Sequence, residues 1–294
     1  MKIFVKYILK ITLMLFVCAY VLDFIFTKVY MNSEPQNKAH YIYSLKNQSF
    51  NYIFIGSSRV ENSIIPEIIE KKTNKKVLNL GITALKLKDI SYIMELLETY
   101  NIKYHKIFVQ IDYSYNEQEG YSKFYSAELL PFCNTSNDAI NAYFYDTKQN
   151  YFLYKFIPFL KYSNAEHLIG FRKIFTMLNQ QKSEMLLNKG YMPIYGESTK
   201  VDAIIPENIA KNNKYLAKIN KFGIQKNRNI IYFSAPVLVD NKSINYFNML
   251  KKNVNELHSF NDVITEKKYF YNNCHINHNG AVVFTNILIE KLKL

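Results

Sequence analysis

Tyr52-Ile53-Phe54-Ile55-Gly56-Ser57-Ser58-Arg59 is a four-residue apolar run that breaks into a glycine, two serines and an arginine. Such an uninterrupted run suits a strand buried on both faces, as strands of a parallel sheet are. Working outward, the same unit repeats. A helix opening at Pro66 (PEIIEKK) leads to a second strand, Val77 to Leu80, stopped at Gly81. Leu87 to Tyr100 (LKDISYIMELLETY) carries apolar residues at helical spacing, and Ile107 to Ile111 forms a third strand. Farther on, a helix is expected from Pro206 to about Phe222, a strand over Asn229–Ala235, and helices over Ser243–Leu257 and Asn279–Leu292. Strand and helix in alternation predict βαβ units and an α/β fold on a parallel sheet.

Residues 113–205 break this rhythm. They are rich in tyrosine and phenylalanine, with helical patterning near Phe171–Leu187, and predict a mainly helical insertion. The chain then divides into an anchor at 1–30, a polar linker at 31–50 and an α/β domain at 51–294 carrying the insertion. Its 294 residues, 49% hydrophobic and 21% charged, are apolar enough for a large core and too lightly charged for a disordered chain. Three cysteines without a C-x-x-C pair exclude a disulfide scaffold and a zinc ribbon.

Lys2, Lys6 and Lys10 precede the uncharged run Ile11 to Leu22 (ITLMLFVCAYVL). The wider stretch Ile3 to Phe26 spans about 36 Å as a helix, enough to cross a bilayer with tilt. Lys6 and Lys10 reach one interface and Asp23 the other, so no charge need lie at the bilayer centre. No small-x-small cleavage site follows, and Phe16-Val17 precede Cys18 where a lipoprotein signal has small residues. An uncleaved transmembrane anchor is therefore expected, with the N-terminus cytoplasmic and the chain beyond about residue 30 outside. In those oxidising surroundings Cys133 and Cys274 are able to pair, and two free buried thiols fit equally.

The 37 Lys and Arg against 24 Asp and Glu give a net +13. A surplus of that size favours acidic partners. Its lysines are scattered, however, and no tight basic block with interleaved aromatics marks a nucleic-acid groove, so nucleic acid is not expected as a partner.

Three places carry chemistry. At the end of the first strand, Gly56-Ser57-Ser58-Arg59 lies where open α/β sheets bind ligands, and a serine at such a turn exposes its hydroxyl and offers its own N–H to an oxyanion. An ordinary turn explains those residues as well. Asn79-Leu80-Gly81 ends the second strand, where the Gly81 N–H is a candidate second oxyanion donor and a tight turn is the plain alternative. Near the C-terminus, Asn272-Asn-Cys274-His275-Ile-Asn277-His278-Asn-Gly280 opens the last helix, and His275 is a candidate general base. Cys274, His275 and His278 are also metal-ligand types, but no partner cluster elsewhere completes a set, and no metal is expected.

In this order the three places resemble the SGNH/GDSL hydrolase superfamily, over about residues 52–112 and 206–292. Gly56-Ser57-Ser58 is similar to the family's Gly-Asp-Ser block, with Ser58 as nucleophile, and Asn79-Leu80-Gly81 to its glycine block. Asn272 to Gly280 is similar to its terminal Asp-x-x-His-Leu-Asn-x-x-Gly block, with His275 as base. The resemblance implies a three-layer, flavodoxin-like sheet. Two positions depart from the pattern. Asn272 stands where the family has aspartate: its amide can hold the imidazole tautomer but lacks the full charge that stabilises an imidazolium, and a triad that loses this carboxylate can slow by ~10⁴. The third strand ends Gln110-Ile111-Asp112, without the family's asparagine; Asp112 is a candidate to orient substrate or to pair with Arg59.

Gly-Ser-Ser-Arg behind one anchor looks most like the envelope branch of that superfamily, which includes proteins of lipoteichoic acid D-alanylation and polysaccharide O-acetylation. The resemblance implies a Ser58–His275 acyltransferase or esterase, with the N–H groups of Ser58 and Gly81 on the oxyanion and Arg59, Asn79 and Asp112 near substrate. It implies no cofactor. Its partners would be an acyl donor, a cell-surface glycan acceptor, the membrane and a multi-pass membrane acyltransferase. The alternative is a catalytically degraded relative that binds glycan or serves as a scaffold.

Overall fold

The computed structural model describes residues 2–133, 137–149, 151–199, 201, 204–238 and 240–294. In chain order its elements are α1 (Lys2–Asn32), α2 (Lys38–Ser44), β1 (Ser49–Gly56), α3 (Ser58–Glu61), α4 (Pro66–Thr73), β2 (Val77–Gly81), α5 (Leu87–Thr99) and β3 (Lys103–Gln110). There follow α6 (Lys123–Leu129), α7 (Asp138–Asp146), α8 (Tyr151–Phe156), α9 (Leu160–Ser163), α10 (Glu166–Ile169), α11 (Ile174–Leu178) and α12 (Glu184–Leu187). The chain continues through α13 (Lys214–Lys226), β4 (Asn229–Ser234), α14 (Asn241–Asn253), β5 (His258–Ser259) and α15 (His278–Leu292). They form two units, Met1–Ser44 with Ser126–Ser183, and Leu45–Tyr125 with Glu184–Leu294.

The second unit is α/β. Its five strands are all parallel, in the order β2-β1-β3-β4-β5, with Gly56 of β1 in register with Gly81 of β2 and Ile55 with Val109 of β3. The order reverses between β1 and β3, the switch point at which open α/β sheets bind ligands. Phe54, Phe108 and Phe233 from three neighbouring strands pack together, the first two stacked at 4.5 Å. Against them lie Ile69 of α4 and Phe284 and Leu288 of α15. Side chains alternate along a strand, so Ile53 and Ile55 serve the opposite face, where α5 packs on β1 and on α13.

The first unit explains why an aspartate interrupts the apolar N-terminal helix. α1 is long and apolar enough to cross a membrane. Asp23, toward its C-terminal end, accepts from the Phe159 N–H and the Lys161 ammonium, each at 2.7 Å, and Lys161 is itself buried. Phe26 and Tyr30 are buried under Tyr162 and Phe132.

Three expectations need correction. The segment 31–50 is more than a linker: it contains α2, which buries Lys38, His40 and Ile42, and the start of β1. Of the insertion expected over 113–205, the stretch Ser126–Ser183 is the part that joins the first unit. The helix expected from Pro206 begins instead at Lys214, where the Asn213 side chain accepts from the Tyr215 and Leu216 N–H groups and caps it. Cys133 and Cys274 are both free thiols.

Candidate active site

β1 delivers its last residue, Gly56, to the switch point, and the chain turns at once into the single turn α3. Ser57 caps that turn: its Oγ accepts from the Arg59 N–H at 3.3 Å. Ser58 follows as the first helical residue, half-buried, its backbone N–H without an acceptor among the described residues. A methyl group at Gly56 would collide with the Gln110 and Val60 side chains, so only glycine lets α3 close this tightly on β3.

Ser58 Oγ lies 2.8 Å from Nε2 of His275. His275 is held by a tight turn ahead of α15, in which the Tyr271 N–H donates to the His275 carbonyl at 2.8 Å and Phe270 and Ile276 form an antiparallel bridge. Asn272 closes the turn. Its Oδ1 accepts from the backbone N–H groups of Cys274 and His275, at 3.1 and 2.9 Å, and lies 3.2 Å from His275 Nδ1. Two backbone donors identify that atom as the amide oxygen, so it can only accept from the ring. The proton therefore belongs on Nδ1, and Nε2 turns its lone pair toward the Ser58 hydroxyl. Asn277 caps α15 by accepting from the Gly280 N–H at 3.1 Å.

Around this pair a buried polar network ties the ends of β1, β3 and β4 together. Gln110 Oε1 accepts from the Ser57 N–H and hydroxyl, at 2.8 and 3.0 Å, and its amide nitrogen donates to Asp112 at 2.9 Å. Asp112 forms an ion pair with Arg59 at 3.1 Å, and Arg59 also donates to the carbonyls of Ala235 and Pro236. The Arg59 guanidinium stands 5.5 Å from the Tyr113 ring centroid. Burial, with the Asp112 carboxylate beside it, drives the Tyr113 phenol well above its ordinary range, so it stays protonated.

The structure brings Ser58, His275 and Asn272 together, and each of the other four candidates has hydrogen bonds of its own. Gly81 donates its N–H to Asn79 Oδ1 at 2.8 Å, so that N–H is already committed. Its glycine has a steric reason, because a side chain there would run into the backbone of Glu61. Asn79 is fully buried and donates to the carbonyls of Val60 and Ile64, at 2.9 and 2.8 Å, which clamps β2 to the segment after Ser58. Arg59 and Asp112 are likewise buried against each other. His278 pairs with the Tyr191 hydroxyl at 2.9 Å, and among the described residues no group of three His, Cys, Asp or Glu side chains gathers to hold a metal ion. Gln110 and Tyr113 were not singled out from the sequence, since a glutamine and a tyrosine after a strand carry no distinctive spacing. Cys274 is buried with its Sγ 3.3 Å from His275 Nδ1.

No family model matches this chain, and no curated protein matches it. A solved structure titled as that of "a putative platelet activating factor from Streptococcus pneumonia" aligns over 98% of this chain and 99% of its own, at 12% identity and a TM-score of 0.37. A likeness of that degree carries no argument about activity.

Proposed function

We propose that this chain is a membrane-anchored, SGNH-like serine enzyme that transfers an O-acyl group to, or removes it from, a polysaccharide of the cell envelope. The observation that carries the reading is the 2.8 Å contact of Ser58 Oγ with His275 Nε2, whose far nitrogen is held by Asn272. In the proposed reaction His275 Nε2 takes the Ser58 proton as Oγ attacks an acyl carbonyl. The Ser58 N–H, which has no acceptor among the described residues, receives the oxyanion. Collapse expels the donor's oxygen, protonated by His275, and leaves the acyl group on Ser58. A glycan hydroxyl or water, deprotonated by the same nitrogen, then releases it. The acceptor alone separates transfer from hydrolysis, and the resemblance to the anchored envelope branch is what favours transfer beside a multi-pass membrane acyltransferase. In this reading α1 crosses the membrane once with the N-terminus cytoplasmic.

The test is labelling of the full chain with a fluorophosphonate, which reacts with an activated serine. Labelling that is lost in both Ser58→Ala and His275→Ala supports the reading; labelling unchanged in Ser58→Ala removes it.

A second reading, a degraded relative that binds glycan or acts as a scaffold, is favoured by two observations. Asn272 supplies no negative charge to His275, and the Gly81 N–H is tied to Asn79, which leaves the oxyanion one identified donor. Absence of labelling in the folded wild-type chain, together with retained glycan binding, would select it.

A further inference from the structure

Phe156 and Phe175 are large, apolar and mostly in the open, at 57% and 73% exposure. They belong to the stretch from α8 to α11, where Phe152, Leu153, Phe171 and Leu178 are exposed as well. Water-facing surfaces seldom gather so many large apolar side chains, and such patches mark membrane or protein contacts.

The stretch lies along the outer end of α1. The Tyr20 hydroxyl donates to the Phe156 carbonyl, Asp23 accepts from the Phe159 N–H, and Phe26 stacks on Phe171 at 5.8 Å. From Tyr20 to Phe26 a helix rises about 9 Å. The exposed aromatics therefore flank the last turns of the span, the depth at which hydrocarbon gives way to headgroups and aromatic side chains concentrate. Along the same turns Val21, Leu22, Phe24 and Ile25 of α1 are themselves exposed, so the stretch extends a surface that α1 already presents. A cavity of about 310 Å³ between the two is lined by Tyr20, Phe24, Thr27, Lys28, Lys155 and Pro158. Among the described residues no carboxylate pairs with Lys28 or Lys155, whereas Asp23 beside them is matched by Lys161.

We propose that residues 151–178 form a second membrane contact, with their exposed aromatic side chains seated in the outer leaflet beside α1 and Lys28 and Lys155 at the lipid phosphates. The inference rests on the reading of α1 as a membrane span. Lipid, rather than a partner protein, is the occupant because the patch continues the face that α1 turns to lipid, and because Lys28 and Lys155, which meet no carboxylate among the described residues, complement a phosphate layer.

The chain contains no tryptophan, so one introduced tryptophan reports alone. The full chain carrying Phe156→Trp or Phe175→Trp is reconstituted in phosphatidylcholine–phosphatidylglycerol vesicles with plain or brominated acyl chains. Emission of both variants should fall at least twofold in the brominated vesicles, as should that of Leu15→Trp in the middle of α1, while Ile224→Trp, exposed on α13, should be unchanged. Quenching at residue 15 with full emission at 156 and 175 would overturn the second contact and leave the anchor standing. No quenching at residue 15 would overturn both. Emission at 156 and 175 shielded from bromine and from aqueous iodide alike would assign the patch to a protein surface instead.

Discussion

The Gly81 N–H donates to the side-chain oxygen of Asn79, two residues earlier in the same strand, at 2.8 Å. Because the Asn79 amide nitrogen also reaches the carbonyls of Val60 and Ile64, one buried side chain joins β2 to the segment that follows the candidate nucleophile.

Asn79→Ala is therefore expected to destabilise the fold, since it takes the side-chain partner from the Ile64 carbonyl and the Gly81 N–H in the interior, while the Val60 carbonyl keeps the Ser63 and Ile64 N–H groups. Unmet buried groups cost about 1–3 kcal/mol each before water relieves them, so a loss of about 3 kcal/mol is expected. Urea unfolding of the full chain in detergent checks it. Unchanged stability with weakened substrate binding would return Asn79 to the substrate-facing role.

Ser57 and Ser58 are adjacent, yet their environments predict opposite outcomes. The Ser57 hydroxyl donates to Gln110 and accepts from the Arg59 N–H, so it caps a turn. Ser57→Ala should cost about 1 kcal/mol of stability, as lost caps do, and keep fluorophosphonate labelling. Ser58→Ala should leave stability within about 0.5 kcal/mol and abolish labelling, because a half-buried hydroxyl facing His275 contributes little to the fold. Mass spectrometry of the labelled peptide distinguishes the two sites.

His40 gives the first unit a pH dependence. It is buried, stacked on Tyr30 at 4.5 Å, its Nδ1 without a hydrogen-bond partner among the described residues, and burial lowers its pKa from 6.5 to about 4. The folded value lies below the unfolded one, so between about pH 6.5 and 4 the unfolded chain binds the extra proton and stability falls on acidification. Full loss of that term amounts to on the order of 3 kcal/mol. Thermal unfolding at pH 7 and pH 5 should show a smaller drop for His40→Phe than for the wild type. Equal drops would exclude His40 as the source.

The sheet was legible because four of its strands are apolar runs, Ile53–Ile55 and Ile107–Val109 among them, that nothing but burial on two faces explains. β5 was not, since two residues, His258 and Ser259, carry no periodicity. The short helices α8 to α12 are four to six residues each and show no amphipathic repeat, which is why their extent escaped the sequence. Pro206 looked like a helix start, but the capping asparagine lies seven residues on, at Asn213. At the site, Ser58, His275 and Asn272 were marked by their blocks. The Arg59–Asp112 pair was among the readings the sequence offered. The bonds of Gly81 and Asn79 depend on which groups donate to which in the fold, and no linear spacing encodes that.

Asn272 bears most directly on whether this site turns over. Its oxygen receives the backbone N–H groups of Cys274 and His275, the His275 ring nitrogen and, at 3.6 Å, the Cys274 thiol, so the geometry of an orienting acceptor is complete and only the charge is missing. Asn272→Asp retains that oxygen and adds a negative charge 3.2 Å from Nδ1, where it would stabilise the imidazolium formed as Ser58 loses its proton. The rate of fluorophosphonate labelling, and of ester hydrolysis, should rise at least tenfold. Both gains should vanish in the Asn272→Asp, His275→Ala double variant, since groups that act as a unit are strongly non-additive. Circular dichroism guards against a trivial loss, because the carboxylate must still accept the two backbone N–H groups that shape the turn. A rate unchanged in a folded variant would mean that the charge is supplied elsewhere or that His275 is not the base. A gain that survives removal of His275 would discard the Ser58–His275 pair as the catalytic unit.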